Sequence, residues 1–101
     1  MICNYGIYKG DDTNAFGQIF LTINGHIPEG FVVSKAEVKI GTLPLFVYEN
    51  PVFPLVIQLE EELTSRLDRR NNVYMKVYDA NGKGRTCNGT IVIEAKDEVV
   101  K

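Results

Sequence analysis

One histidine, two cysteines and a few clusters of carboxylates are all that this chain of 101 residues offers for chemistry. Nucleophilic catalysis needs an activated Ser, Cys or Thr beside a base, and His26 is the only imidazole. It falls in His26-Ile27-Pro28-Glu29-Gly30, a connection in which a solvated histidine is the expected reading. Nothing in the sequence brings it to Cys3 or Cys87, each on a predicted strand. One His and two distant Cys also cannot reproduce the C-x-x-C or H-x-x-x-H spacings of a zinc site. Asp11, Asp12, Thr13 and Asn14 offer oxygen ligands, but no alternating acidic series with a distal glutamate follows to build a calcium loop; a solvated turn is expected. Gly82-Lys83-Gly84 lacks the following helix whose N-terminal dipole holds a phosphate. Glu60-Glu61-Glu62 reads as the acidic start of a helix rather than as a metal or acid–base cluster. No catalytic residue, metal ligand or cofactor is therefore assigned, and an enzyme would have to work through His26.

The elements that would position any site are strands. Lys35-Ala36-Glu37-Val38-Lys39-Ile40 places Ala36, Val38 and Ile40 on one face and charges on the other, the pattern of a half-buried antiparallel strand. The alternation recurs in Ile2–Tyr8, in Gly17–Ile23, in Val33–Ile40, in a short edge strand Leu45–Glu49, and in Leu55–Leu59. Pro51 and Pro54 cannot donate to a ladder, so they confine their region to an edge or to a crossover between sheets. Glu60–Arg69 carries the only helical spacing, Leu63 and Leu67, with Arg66, Arg69 and Arg70 at or just past its end to complement the dipole. Val73–Asp79 and Arg85–Glu94 flank Ala80-Asn81-Gly82-Lys83-Gly84, an Asn-Gly hairpin loop, and Asn88-Gly89 inside the second strand suggests a bulge.

About seven short strands with turn signals roughly every ten residues predict an all-β, immunoglobulin-like antiparallel β-sandwich with one short helical turn, an open barrel being the runner-up. The helical turn ahead of the strand bearing Tyr74 resembles the tyrosine corner of such sandwiches, although their usual inter-sheet disulfide and buried tryptophan are not expected here. One domain is assigned to residues 1–95, and 96–101 to a charged tail or the start of a linker.

A net charge of −2 provides no basic field for a nucleic-acid backbone, and no stretch approaches the ~18 apolar residues of a membrane helix. Neither nucleic acid nor membrane is expected as a partner. Met1-Ile2-Cys3-Asn4-Tyr5 lacks the regions of a signal peptide, so cytoplasmic folding is expected, and with it free thiols at Cys3 and Cys87 in preference to the alternative that the two pair. Cys87 shares a face with Ile91 and Ile93 and is expected as a small buried hydrophobe.

What remains is surface. On Val73–Asp79, Tyr74 and Tyr78 point away from Val73, Met75 and Val77, and Phe16 and Phe20 similarly oppose Ile19 and Leu21. Exposed aromatics are enriched in interfaces. Leu45-Phe46-Val47 adds an apolar run on an edge that invites pairing. Tyr74, Tyr78, Phe46 and Phe53 are therefore the candidate interface anchors.

Several phrases also line up with a known family: Gly10-Asp11-Asp12, Lys39-Ile40-Gly41, an Ile-x-Leu strand running into Glu-x-x-Leu-Thr-x-x-Leu (Ile57–Leu67), Tyr-x-x-Val-x-Asp-x-x-Gly-x-x-x-Thr (Tyr74–Thr86) and Gly-x-Ile (Gly89–Ile91). From about Ile7 to Ile93 the chain resembles the immunoglobulin-like domains of phage tail and baseplate proteins, above all the N-terminal domain of the baseplate upper protein of phages of Gram-positive bacteria. The resemblance implies a non-enzymatic assembly and attachment module without cofactor. Its partners would be other tail or baseplate proteins or a second copy, in the bacterial cytoplasm during assembly and then in the virion. It transfers no binding residue. The alternative is a small-ligand or carbohydrate-binding sandwich, in which Tyr48 and Phe53 would form a stacking platform.

Overall fold

The computed structural model describes residues 2–9 and 19–93. Among these residues there are seven strands, β1 (Ile2–Lys9), β2 (Ile19–His26), β3 (Lys35–Ile40), β4 (Phe46–Glu49), β5 (Leu55–Leu59), β6 (Arg70–Tyr78) and β7 (Gly84–Val92), with one helical turn, α1 (Glu61–Thr64), before β6. They form two antiparallel sheets, β1-β2-β5 and β4-β3-β6-β7, the immunoglobulin-like sandwich that the alternation predicts. In the constant-type immunoglobulin arrangement the fourth strand joins the first, second and fifth. Here β4 pairs with β3 instead, Val38 opposite Phe46 and Ala36 opposite Tyr48.

Period-two patterning places the core. Leu21, Ile23, Ile57 and Leu59 from the first sheet meet Val38, Ile40, Val73, Met75 and Val77 from the second, all buried. Each such side chain contributes about 1.5–3 kcal/mol by leaving water, and a one-residue slip of any strand would turn its whole set outward. Cys87, Ile91 and Ile93 lie in the same cluster, as their shared face implies.

The prolines act where the sequence places them. Residues 50–54 carry the chain from β4, at the edge of one sheet, to β5, at the edge of the other. Asn50 takes a positive φ of 48° and Phe53-Pro54 is cis, while the Asn50 N–H donates to the Ser34 carbonyl at 2.8 Å.

Four local expectations are corrected. First, the helix is one turn, not Glu60–Arg69. The Thr64 hydroxyl donates back to the carbonyls of Leu59 and Glu60, and Ser65 Oγ donates to Glu62. Such local bonds compete with helix continuation. The chain then tightens through Arg66 N–H to Leu63 and Leu67 N–H to Thr64. Glu61 and Glu62 do occupy the first turn, but no basic residue sits in the last.

Second, Tyr74 does not build the corner into β6. Buried Asn71 does, its Nδ2 donating to the Asp68 carbonyl at 2.7 Å and its Oδ1 accepting the Asp68 N–H at 3.0 Å. These two bonds back to Asp68 close the corner from which β6 starts at Arg70, three residues ahead of Val73.

Third, Asn88-Gly89 is not a bulge, because β6 and β7 pair without interruption from Arg70↔Val92 to Tyr78↔Gly84. The glycine is there for space: a Cβ at position 89 would stand 2.6 Å from Cε2 of Tyr5, whose ring crosses from β1.

Fourth, Cys3 and Cys87 are not free thiols. They form a disulfide with Cα atoms 6.1 Å apart, joining β1 of one sheet to β7 of the other. An inter-sheet bridge therefore exists, though between outer strands rather than the central pair of antibody domains. Gly25 lies opposite Cys3 in the register, where a Cβ would be in ordinary contact with Cys3 Sγ at 3.4 Å. The predicted Asp11–Asn14 turn, Phe16, the start of the Gly17 strand and the 96–101 tail lie outside the described residues.

Candidate interaction surface

Register decides what the sandwich presents. The outer face of β4-β3-β6-β7 carries Val47 and Glu49 from β4, Lys35, Glu37 and Lys39 from β3, and Arg70, Asn72, Tyr74, Lys76 and Tyr78 from β6. β7 adds Thr86, Asn88 and Thr90.

The two tyrosines of this face differ. The Tyr78 hydroxyl donates to Glu37 Oε1 at 2.9 Å, and the ammonium groups of Lys35 and Lys76 lie 4.7 and 5.0 Å from its ring centroid. Lys35 also pairs with Glu37 at 3.6 Å. Tyr78 is thereby half-buried under charges of its own face. Tyr74 stands between Lys39 and Asn88 in the register and is 42% exposed. The Lys39 ammonium donates to the Leu43 carbonyl, which draws that side chain toward the β3–β4 turn and leaves the tyrosine ring uncovered.

Phe46 and Phe53 lie elsewhere. Both are half-buried and pack against the core, as does Tyr48. Burial pushes the Tyr48 hydroxyl above its ordinary pKa, and does the same to Tyr5, which also reaches Cys87 Sγ at 3.5 Å.

Exposed aliphatic side chains, by contrast, follow the free edge of β4. Leu45 and Val47 are 50% and 49% exposed, and Val52, just beyond the strand, is 79% exposed. Val32, 76% exposed, lies two residues before Ser34, whose carbonyl accepts the Asn50 N–H. Four apolar side chains therefore border one edge and the loop end beside it. The sequence marked Leu45-Phe46-Val47, but Val32 and Val52 carried no signal of their own, since a single valine in a loop is legible only once its neighbours are placed.

The residues considered for chemistry remain apart. His26 is exposed as the last residue of β2, opposite Ile2. Both cysteines are consumed in the disulfide, so neither can serve it as a thiolate. In the β6–β7 hairpin the N–H groups of Asn81 and Lys83 donate to Asp79 Oδ1, which occupies the donors that a phosphate would use. Glu60, Glu61 and Glu62 are exposed around the start of α1. Among the described residues no three His, Cys, Asp or Glu side chains converge, and no helix is long and apolar enough to cross a membrane. No protein-family model matches the chain, and neither a curated protein nor a solved structure does.

Proposed function

We propose that this chain is a non-enzymatic attachment module of a phage or prophage tail or baseplate, and that it docks by edge-to-edge pairing of β4 with a second copy. The observation that carries the docking reading is the aliphatic border of that edge. An edge strand is normally guarded by brevity, charge, proline or a bulge; β4 is short and ends in Glu49, but its Phe46-Val47-Tyr48 run carries no charge and no proline.

Its sequence also suits a twofold partner. An antiparallel pair centred on Val47 sets Val47 against Val47, Phe46 against Tyr48 and Leu45 against Glu49. The central pairs are then apolar and aromatic, Leu45–Glu49 flanks them, and no like charges stand opposite each other, which would disfavour the pairing. The virion setting draws on the family resemblance and on the Cys3–Cys87 bridge, since disulfides persist on virion and cell surfaces and are rare in the reducing cytosol. Assembly would begin in the bacterial cytoplasm and end in the particle.

The setting is tested by purifying particles induced from cells that carry the gene and analysing them by mass spectrometry. The chain is expected at stoichiometric, copy-defined levels in intact particles. Its recovery only in the soluble cell extract would overturn the assignment.

A further inference from the structure

Around Tyr74 the outer face of β6 and β7 changes character. Asn72 pairs with Thr90 and Tyr74 with Asn88, so two amides and a hydroxyl surround one exposed phenol. None of these four side chains is hydrogen-bonded to another described residue. Together they line an open depression of about 430 Å³, floored by the backbone at Val73 and Gly89. The floor is bare because the Val73–Gly89 pair faces inward, between the outward pairs Asn72–Thr90 and Tyr74–Asn88.

The chemistry of the set is specific. A tyrosine ring offers an apolar face for the C–H side of a sugar ring. Each asparagine offers an acceptor and two donors, and the threonine offers one of each, which answers vicinal hydroxyls. Two of the adjacent cations are engaged elsewhere, Lys39 on the Leu43 carbonyl and Lys76 over Tyr78, while Arg70, two residues before Asn72 on the same face, is exposed beside the depression. We infer that this face is a binding site for a pyranose unit of an oligosaccharide, with Tyr74 as the stacking platform and Asn72, Asn88 and Thr90 as its hydrogen-bonding rim. The site is separate from the crossover, where Tyr48 and Phe53 have their rings against the core.

The test is a titration of isotope-labelled protein with cellotriose, maltotriose and triacetylchitotriose, followed in the amide correlation spectrum, where the side-chain amides of Asn72 and Asn88 report directly. At least one sugar is expected to move both signals saturably. Tyr74→Ala should weaken that binding about tenfold or more, while Tyr74→Phe, which keeps the ring, should retain most of it. Val47→Lys, separated from the site by β3, should bind sugar as the unaltered chain does, so failure of the edge-pairing reading would leave this one standing. No saturable shift up to about 10 mM of any of the three sugars, or shifts that survive Tyr74→Ala, would overturn the assignment. A well-dispersed spectrum of each variant shows that the sandwich is intact.

Discussion

Opening the Cys3–Cys87 bridge perturbs stability in a way that can be worked from its place in the chain. The cysteines are 84 residues apart, so the bond closes nearly the whole domain into a loop in the unfolded state. Chain-entropy scaling gives about 15 cal/mol/K for such a loop, or about 4.6 kcal/mol at room temperature, with measured bridges more often giving about 2–4. For a domain of 101 residues, an unfolding entropy near 2.1 cal/mol/K per residue converts each kcal/mol into about 5 °C of Tm. Reductant should therefore lower Tm by about 10–20 °C. The assay is thermal unfolding by circular dichroism with and without a phosphine reductant, beside a Cys3→Ala/Cys87→Ala variant. That variant should melt near the reduced protein and ignore the reductant. A shift below about 3 °C, or two thiols reacting at once with a thiol reagent in the native protein, would refute the claim that β1 and β7 are bridged.

Three further perturbations read other parts of the structure. Gly89→Ala drives a Cβ to within 2.6 Å of the Tyr5 ring and should cost about 1–3 kcal/mol in urea unfolding, with partial recovery in a Gly89→Ala/Tyr5→Leu double variant; no loss would mean that Tyr5 does not lie under β7. Asn71→Ala leaves the Asp68 N–H and carbonyl without their corner partner and should cost about 1–3 kcal/mol, whereas exposed Asn72→Ala should change stability by less than about 0.5 kcal/mol. Burial raises the Tyr5 and Tyr48 pKa above 10.0, so above about pH 10 the folded state holds more protons than the unfolded one, and stability falls as pH climbs from there through the folded values. Tyr5→Phe and Tyr48→Phe should each flatten that alkaline decline in a pH series of denaturation midpoints, and an unchanged slope in both would contradict the burial.

The alternation of Ala36, Val38 and Ile40, or of Leu55, Ile57 and Leu59, exposes fold class in the sequence because a strand's inward set depends only on local period. Pro51 and Pro54 likewise announce a crossover, since a missing N–H is a local property. The disulfide was hidden because Cys3 and Cys87 meet only through the joint placement of two sheets, and compartment arguments pointed the other way. Asn88-Gly89 has the local signature of a bulge, while the reason for the glycine, the Tyr5 ring, comes from the opposite end of the chain. The helix was overextended because Leu63 and Leu67 fit a helical stripe, while Thr64, Ser65 and Asn71 hold competing turn bonds whose strength depends on burial. On the surface, period two was enough to turn Tyr74 and Tyr78 outward. That Lys35, Lys76 and Glu37 seal one ring while Lys39 turns away from the other depends on cross-strand register, which a single sequence does not contain.

The central claim, attachment through the edge of β4, is tested most directly by solution mass from light scattering over a wide concentration range, comparing the unaltered chain with Val47→Lys. A lysine at the centre of the paired edge stands directly opposite the lysine of the second copy on the same sheet face, and like charges so placed disfavour the pairing. The unaltered chain is expected to rise from 11.3 kDa toward twice that mass with concentration, and Val47→Lys to stay at the monomer mass throughout. A strictly monomeric unaltered chain, or a Val47→Lys variant that associates equally well, would contradict the account.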